Sequence, residues 1–140
     1  MNIFFDCDYT IISWDSQLRP GIPDLFQKLK DDGHIIYVWS GAGIRWYDLR
    51  KHNLESYVDD CFHKPLYDYK RRMVGLGVTV TPDIVIDDYP DIVSALGGIR
   101  CTPFLPYRGS DRQGEAIYHI IKALSLHYYP SGAYSLPDYR

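Results

Sequence analysis

The stretch Ile35-Ile36-Tyr37-Val38-Trp39-Ser40 decides how the chain is read. Five consecutive β-branched or aromatic residues, with no polar alternation, describe a strand buried on both faces, as in a parallel sheet covered by helices. Working upstream, residues 23–32 repeat apolar side chains at Leu25, Phe26 and Leu29, a helical spacing that Gly33 ends. Before them, residues 2–5 (NIFF) are a short strand-forming run that stops at Asp6. Downstream, Gly41-Ala42-Gly43 opens a helix expected to reach Lys51, and residues 57–62 read as a weaker strand. Residues 66–76 read as a helix ended by Gly75 and Gly77, and residues 84–86 as a strand running into Asp87-Asp88. Pro90 suits the first position of a short helix that Gly97-Gly98 stops. Residues 99–104 form the last expected strand. Residues 111–127 carry the clearest amphipathic pattern, with Ile117, Ile120, Ile121 and Leu124 on one face.

Strand and helix alternate five times, which predicts an α/β fold: a three-layer, Rossmann-like parallel sheet with right-handed crossovers. Residues 1–140 fit a single domain, and residues 128–140 read as an irregular aromatic tail. In such sheets ligands bind beyond the carboxyl ends of the strands. Three of the expected strands end in Asp6, Ser40 and Asp87, so polar groups from separate strands converge on one edge.

Composition narrows the function classes. Hydrophobic residues make up 46% and charged residues 24%, ordinary globular usage that excludes a disordered or collagenous chain. No apolar run approaches the roughly 18 residues of a membrane span, and no basic n-region marks a signal peptide. Three widely spaced cysteines, Cys7, Cys61 and Cys101, make neither a disulfide framework nor a CxxC site, so a reducing cytoplasm is the expected compartment. A net charge of −3 argues against nucleic acid as a partner except as a substrate.

The chemistry rests on what stands at the strand ends. Asp6-Cys7-Asp8 sets two carboxylates two positions apart after a strand. A carboxylate there can ligate a hard cation such as Mg2+ or attack phosphorus, and its neighbour can protonate a leaving group. The plain alternative for a bare DxD is a loop with two solvated acids. Asp87-Asp88 would need a cation to neutralise it if brought near Asp6, and otherwise reads as a surface turn before Pro90. Ser40, followed by Gly41, offers a hydroxyl and backbone N–H groups to an anion at an expected helix start; a simple N-cap is the alternative. Lys64, before Pro65, could neutralise a phosphoryl group or sit in an exposed loop.

Taken in order, these signals stop being independent. Asp6-Cys7-Asp8-Tyr9-Thr10, then Ser40, then Lys64, then Asp87-Asp88, each in its strand context, resembles the haloacid-dehalogenase-like (HAD) superfamily over residues 2–104. The resemblance implies a Mg2+-dependent phosphohydrolase that cleaves phosphate monoesters through an aspartyl-phosphate. It makes Asp6 the nucleophile and Asp8 the general acid and base. Mg2+ would lie between Asp6, the backbone carbonyl of Asp8, and Asp87, with Asp88 in support. Ser40 and Lys64 would hold phosphoryl oxygens, and Thr10 would steady the loop and the substrate. Family members usually carry a cap, but neither insertion point has room for one here. Cap-less members tend to act on macromolecules or borrow a cover from a neighbouring subunit. The DxDYT motif and Arg19-Pro20-Gly21 look loosely like the small magnesium-dependent phosphatases.

Other residues have plainer readings. Arg45 and Trp46 are placed to line the mouth, whereas Lys70-Arg71-Arg72 reads as a solvated face. Cys7 has no adjacent histidine and reads as packing, and the five histidines show no ligand spacing. The aromatic tail is expected to pack on its own domain, with a role as a neighbour's cover, and hence a homo-oligomer, left open. The expected partner is a phosphorylated small molecule or macromolecule. Two rivals stand beside the phosphohydrolase: a nucleotide or polynucleotide phosphatase on the same scaffold, and a metal-binding regulatory or interaction protein without turnover.

Overall fold

A computed structural model describes residues 1–137; the last three residues of the aromatic tail lie outside it. Six strands, β1 (Asn2–Asp6), β2 (Ile35–Ser40), β3 (Val58–His63), β4 (Ile84–Asp87), β5 (Gly98–Arg100) and β6 (Ala133–Ser135), form one sheet. Its order is β3-β2-β1-β4-β5-β6, and every pairing is parallel. The chain first builds outward from β1 through β2 to β3, then returns to place β4 on the other side of β1. The order therefore reverses between β1 and β4, the crevice where such sheets bind ligands.

Among the described residues five helices cover the sheet: α1 (Ile22–Asp31), α2 (Trp46–Lys51), α3 (Tyr69–Arg72), α4 (Pro90–Leu96) and α5 (Gln113–Ser125). Strand alternation divides the core. Ile3, Phe5, Ile36, Val38 and Ile86 face a layer built from Leu25, Phe26 and Leu29 of α1 and Ile117 and Ile121 of α5. Phe4, Tyr37, Trp39 and Val85 point the other way, onto Ile92 and Val93 of α4. This two-sided burial is why the central strands read as unbroken apolar runs. Each face supplies apolar burial at roughly 25 cal/mol per Å2, the term that holds the three layers together. Gly98 shows how tightly β5 enters: at φ 143° a Cβ here would meet the Val85 carbonyl oxygen at 1.9 Å, so a side chain cannot be accommodated.

The three-layer α/β fold is the expected one, with four local corrections. The tail is not irregular throughout: β6 pairs with β5, Leu136 is buried in the main core, and Gln113 Nε2 donates to the Pro137 carbonyl at 3.0 Å. Residues 133–137 therefore pack on their own chain, whereas Tyr128 and Tyr129 stay exposed. The helix expected from Gly41 starts instead at Trp46, because Gly43 at φ 115° turns the backbone away from the helical path. The helix expected over residues 66–76 shrinks to α3 and a 3-10 turn, Val74–Leu76, since Asp68 is left-handed at φ 46°. The strand expected over 99–104 ends at Arg100.

Among the described residues, neither usual insertion point holds a cap. Residues 7–21 make a short flap pinned by bridges between Asp8 and Ile12 and between Ile12 and Leu18. Between β2 and β3 stand only α2 and a 3-10 turn, Glu55–Tyr57. No helix among the described residues is long and apolar enough to cross a membrane.

Candidate active site

Asp6 ends β1 and Asp87 ends β4, so the two carboxylates flank the point where the strand order reverses. Lys64, just past β3, reaches across to both: its Nζ donates to Asp6 Oδ1 at 2.9 Å and to Asp87 Oδ2 at 3.1 Å. Asp88 completes the group, with one carboxylate oxygen from each of Asp6, Asp87 and Asp88 within 4.8 Å of one another. Among the described residues this is the group fit for a cation, and it contains no histidine or cysteine. The Asp8 carboxylate stands outside it.

Burial sets the charges on edge. It pushes the Asp6 carboxyl up to about 7, against the opposing pull of Lys64, and the neighbouring Asp88 adds to the rise. Burial likewise pushes Asp87 up to about 6, with the Asp6 charge adding to it. Asp88 is raised for the same first reason. Burial works to lower the Lys64 ammonium, but the Asp6 and Asp87 carboxylates outweigh it and hold Lys64 above its ordinary value. Three acids facing one lysine are short of positive charge, which is the electrostatic demand a divalent cation meets.

The loop after β1 turns back on itself. Tyr9 takes a left-handed φ of 63°, and the N–H groups of Thr10, Ile11 and Ile12 return to the Cys7 carbonyl. That reversal drops the buried Thr10 hydroxyl onto Asp6 Oδ2 at 3.3 Å. Thr10 is thus brought to Asp6 rather than to the mouth. Cys7 is fully buried, and burial pushes its thiol well up, so it stays a protonated packing group.

Ser40 is not the cap of a helix. Its Oγ accepts from the Ala42 N–H at 3.1 Å and from Arg45 Nη1 at 3.1 Å. With both lone pairs engaged, the hydroxyl proton is left to donate outward. Gly41 lies against Leu66: a Cβ on it would come within 2.6 Å of Leu66 Cδ2. Arg45 does more than line the mouth. It donates to Asp8 Oδ2 at 2.6 Å, to Ser40, and through Nε to Asp48 Oδ2 at 2.8 Å. Burial opposes its charge, but Asp8 and Asp48 keep the guanidinium firmly protonated. Trp46 packs against the main core and is no more than partly exposed. Of the basic run, Arg72 lies over the Tyr67 ring at 4.2 Å and Arg71 pairs with Asp68 at 3.5 Å.

Two residues escaped sequence reasoning. Asp48 anchors Arg45, and its only signal was an i,i+3 spacing on a short helix. Arg19, met only as part of Arg19-Pro20-Gly21, is 2% exposed and braces the flap from beneath.

No protein-family model and no curated protein matches the chain. Among solved structures it is similar to a D,D-heptose 1,7-bisphosphate phosphatase from Burkholderia thailandensis, at a TM-score of 0.53 and 15% identity. That alignment covers 98% of this chain and 92% of the other. At such identity the likeness shows the fold alone, and it agrees with the three-layer α/β architecture with a parallel sheet. A second solved chain aligns at a TM-score of 0.46 and 12% identity, too distant to bear on the argument.

Proposed function

We propose that the protein is a Mg2+-dependent phosphohydrolase that cleaves phosphate monoesters through an aspartyl-phosphate on Asp6. The observation that carries this reading is the meeting of Asp6, Lys64, Asp87 and Asp88 at the reversal of the strand order. The donor set suits the cation: all-oxygen, carboxylate-rich and short of positive charge. Asp6, Asp87 and Asp88 would hold Mg2+, with the Asp8 carbonyl a further donor by resemblance. When bound, Mg2+ supplies charge that keeps the carboxylates ionised and offsets the negative charge of the phosphoryl group.

The chain's own residues divide the rest. A carboxylate oxygen of Asp6 attacks phosphorus, and the bond from phosphorus to the ester oxygen breaks. Thr10 fixes the rotation of Asp6, and Lys64 faces the growing charge on the phosphoryl oxygens. The Ser40 hydroxyl donates to one of those oxygens. Asp8 hands a proton to the departing alkoxide, then takes one from the water that attacks the aspartyl-phosphate and returns Asp6 and free phosphate. Arg45 steers Asp8 and Ser40 at once, so acid and phosphoryl donor keep a fixed relation.

The test is hydrolysis of a generic aryl phosphate with and without Mg2+, beside Asp6→Asn. Magnesium-dependent turnover that Asp6→Asn abolishes is the expected result. Equal turnover by Asp6→Asn would remove the nucleophile assignment.

A further inference from the structure

Beside the phosphoryl site a cavity of about 210 Å3 opens between the loops that follow β3 and β4. Lys64, Asp87 and Asp88 form its polar end, which Lys64 joins to Asp6. Its remaining wall is apolar and aromatic, made chiefly by Leu66, Tyr69, Tyr89 and Ile92. We propose that this cavity takes a planar aromatic ring on the alcohol side of the substrate, so that small nucleoside or aryl monophosphates are preferred. The proposal rests on the phosphohydrolase reading of the neighbouring carboxylates.

The wall is prebuilt for a ring. Tyr69 packs against the second core cluster, which includes Ile92. The Tyr89 N–H donates to Asp87 Oδ1 at 3.0 Å, and Pro90 follows at the start of α4, so the backbone that carries this ring is tied to an acid of the site. Leu66 lies over Gly41, where any larger residue would displace it. Even so, Leu66 and Tyr89 remain 65% and 53% exposed. Large apolar side chains left open beside a polar reaction centre mark a surface awaiting an apolar ligand group.

Size and chemistry narrow the occupant. The volume is below the roughly 300 Å3 at which drug-sized pockets begin, so it suits one ring system rather than a polymer segment. A polyhydroxylated chain would need several hydrogen-bonding partners, and this wall offers little beyond two phenol groups. Ring stacking on tyrosine needs only a π-face, which a nucleobase and a simple aryl group share.

The experiment compares adenosine 5′-monophosphate with ribose 5-phosphate, which release closely similar primary alcohols and differ in the base. With Mg2+, kcat/KM is expected to favour the nucleotide by roughly tenfold or more, the scale of one stacked base. Tyr89→Ala should cut the nucleotide's kcat/KM roughly tenfold more than that of ribose 5-phosphate, and Tyr89→Phe should restore it. A parallel series with phenyl phosphate separates the two ring sources: sensitivity there to Tyr89→Ala shows that a bare ring suffices. Equal kcat/KM for the nucleotide and ribose 5-phosphate, together with no response of either aromatic substrate to Tyr89→Ala, would overturn the proposal. Titration with adenosine alone keeps the two readings apart. Binding that Tyr89→Ala weakens, without hydrolysis of any ester, would support the ring pocket while removing the phosphohydrolase. Hydrolysis without ring preference or adenosine binding would do the reverse.

Discussion

Arg19 and Asp111 close an ion pair across 92 positions of sequence, with Nε donating to Oδ2 at 2.9 Å and side chains 2% and 11% exposed. The same guanidinium donates to the Tyr9 and Thr10 carbonyls at 3.4 Å each and to Thr102 Oγ1 at 3.3 Å. It also lies 5.7 Å from the centre of the Phe104 ring. One buried cation therefore ties the loop that carries Asp8 to the segment leading into α5.

Removing one partner of such a pair leaves the other charged and unpaired in the interior. Arg19→Leu is expected to lower stability by about 3–5 kcal/mol, measured by urea denaturation. Asp111→Asn, which keeps a side-chain oxygen for Arg19 to donate to, should cost less. Because the Tyr9 and Thr10 carbonyls lose their donor, turnover should also fall in Arg19→Leu at temperatures where it remains folded. A loss under 1 kcal/mol would show that the flap is held by its own turn.

Lys64 offers a sharper test of the metal reading. In Lys64→Met the three carboxylates keep their burial and lose the cation between Asp6 and Asp87. The metal-free variant should be destabilised by about 3–5 kcal/mol, the usual cost of breaking a buried pair. On the proposed reading Mg2+ binds the folded state, so at 100 times its Kd it should return about 2.7 kcal/mol. Thermal unfolding with chelator and with Mg2+ reads both values. Catalysis should stay low even with the metal, because the proposed mechanism also sets Lys64 against the phosphoryl oxygens. A variant that Mg2+ does not stabilise would argue against a cation among Asp6, Asp87 and Asp88.

What the sequence revealed follows from burial. β1, β2 and β4 were legible because both faces are covered, which leaves continuous apolar runs ending in the acids and serine of the site. β6 was not: Ala133–Ser135 is a three-residue edge strand, exposed or half-exposed throughout, so it carries no hydrophobic pattern. The late start of α2 was hidden for another reason. Its first expected turn is spent wrapping Ser40, with the Ala42 N–H on Oγ and the Gly43 N–H on the Ser40 carbonyl at 3.2 Å. The partnership of Arg45 with Asp8 spans 37 positions and depends on two loops meeting, which no local spacing encodes. Which of Asp87 and Asp88 meets the group depends on where β4 ends, which the sequence does not mark; an oxygen of each lies in the same group.

Arg45 should act through Asp8, and leaving-group chemistry can expose that. A general acid contributes roughly a hundredfold to ten-thousandfold where the departing group is a poor alkoxide. It contributes little where nitrophenolate leaves unaided. Arg45→Ala is therefore expected to reduce kcat by at least tenfold on an alkyl phosphate and far less on p-nitrophenyl phosphate. Asp8→Asn should show the same contrast, larger. Equal losses on the two esters would assign Arg45 to phosphoryl binding through Ser40 instead, since that contact serves both substrates alike.

The same buried acids fix a pH dependence. Asp6 is raised by burial to about 7 and Asp87 to about 6, both above the ordinary carboxylate value of 3.8. Groups raised in the folded state stabilise it fully below their unfolded pKa, and that contribution is lost as pH rises through the folded values. Metal-free protein should therefore lose stability from these two groups between about pH 4 and pH 7. Mg2+ held as proposed would bind the ionised carboxylates and have to displace protons at the lower end of that window. The rise in Tm produced by saturating Mg2+ is expected to be larger at pH 8 than at pH 5.5, and Mg2+ uptake near pH 6 should release protons to the buffer. His34 works in the opposite sense: burial lowers it, so its contribution fades as pH falls. It precedes β2 at the far edge of the sheet, so comparing Tm with and without Mg2+ at each pH cancels its effect. A Mg2+ shift independent of pH would mean that the cation is not held by Asp6 and Asp87.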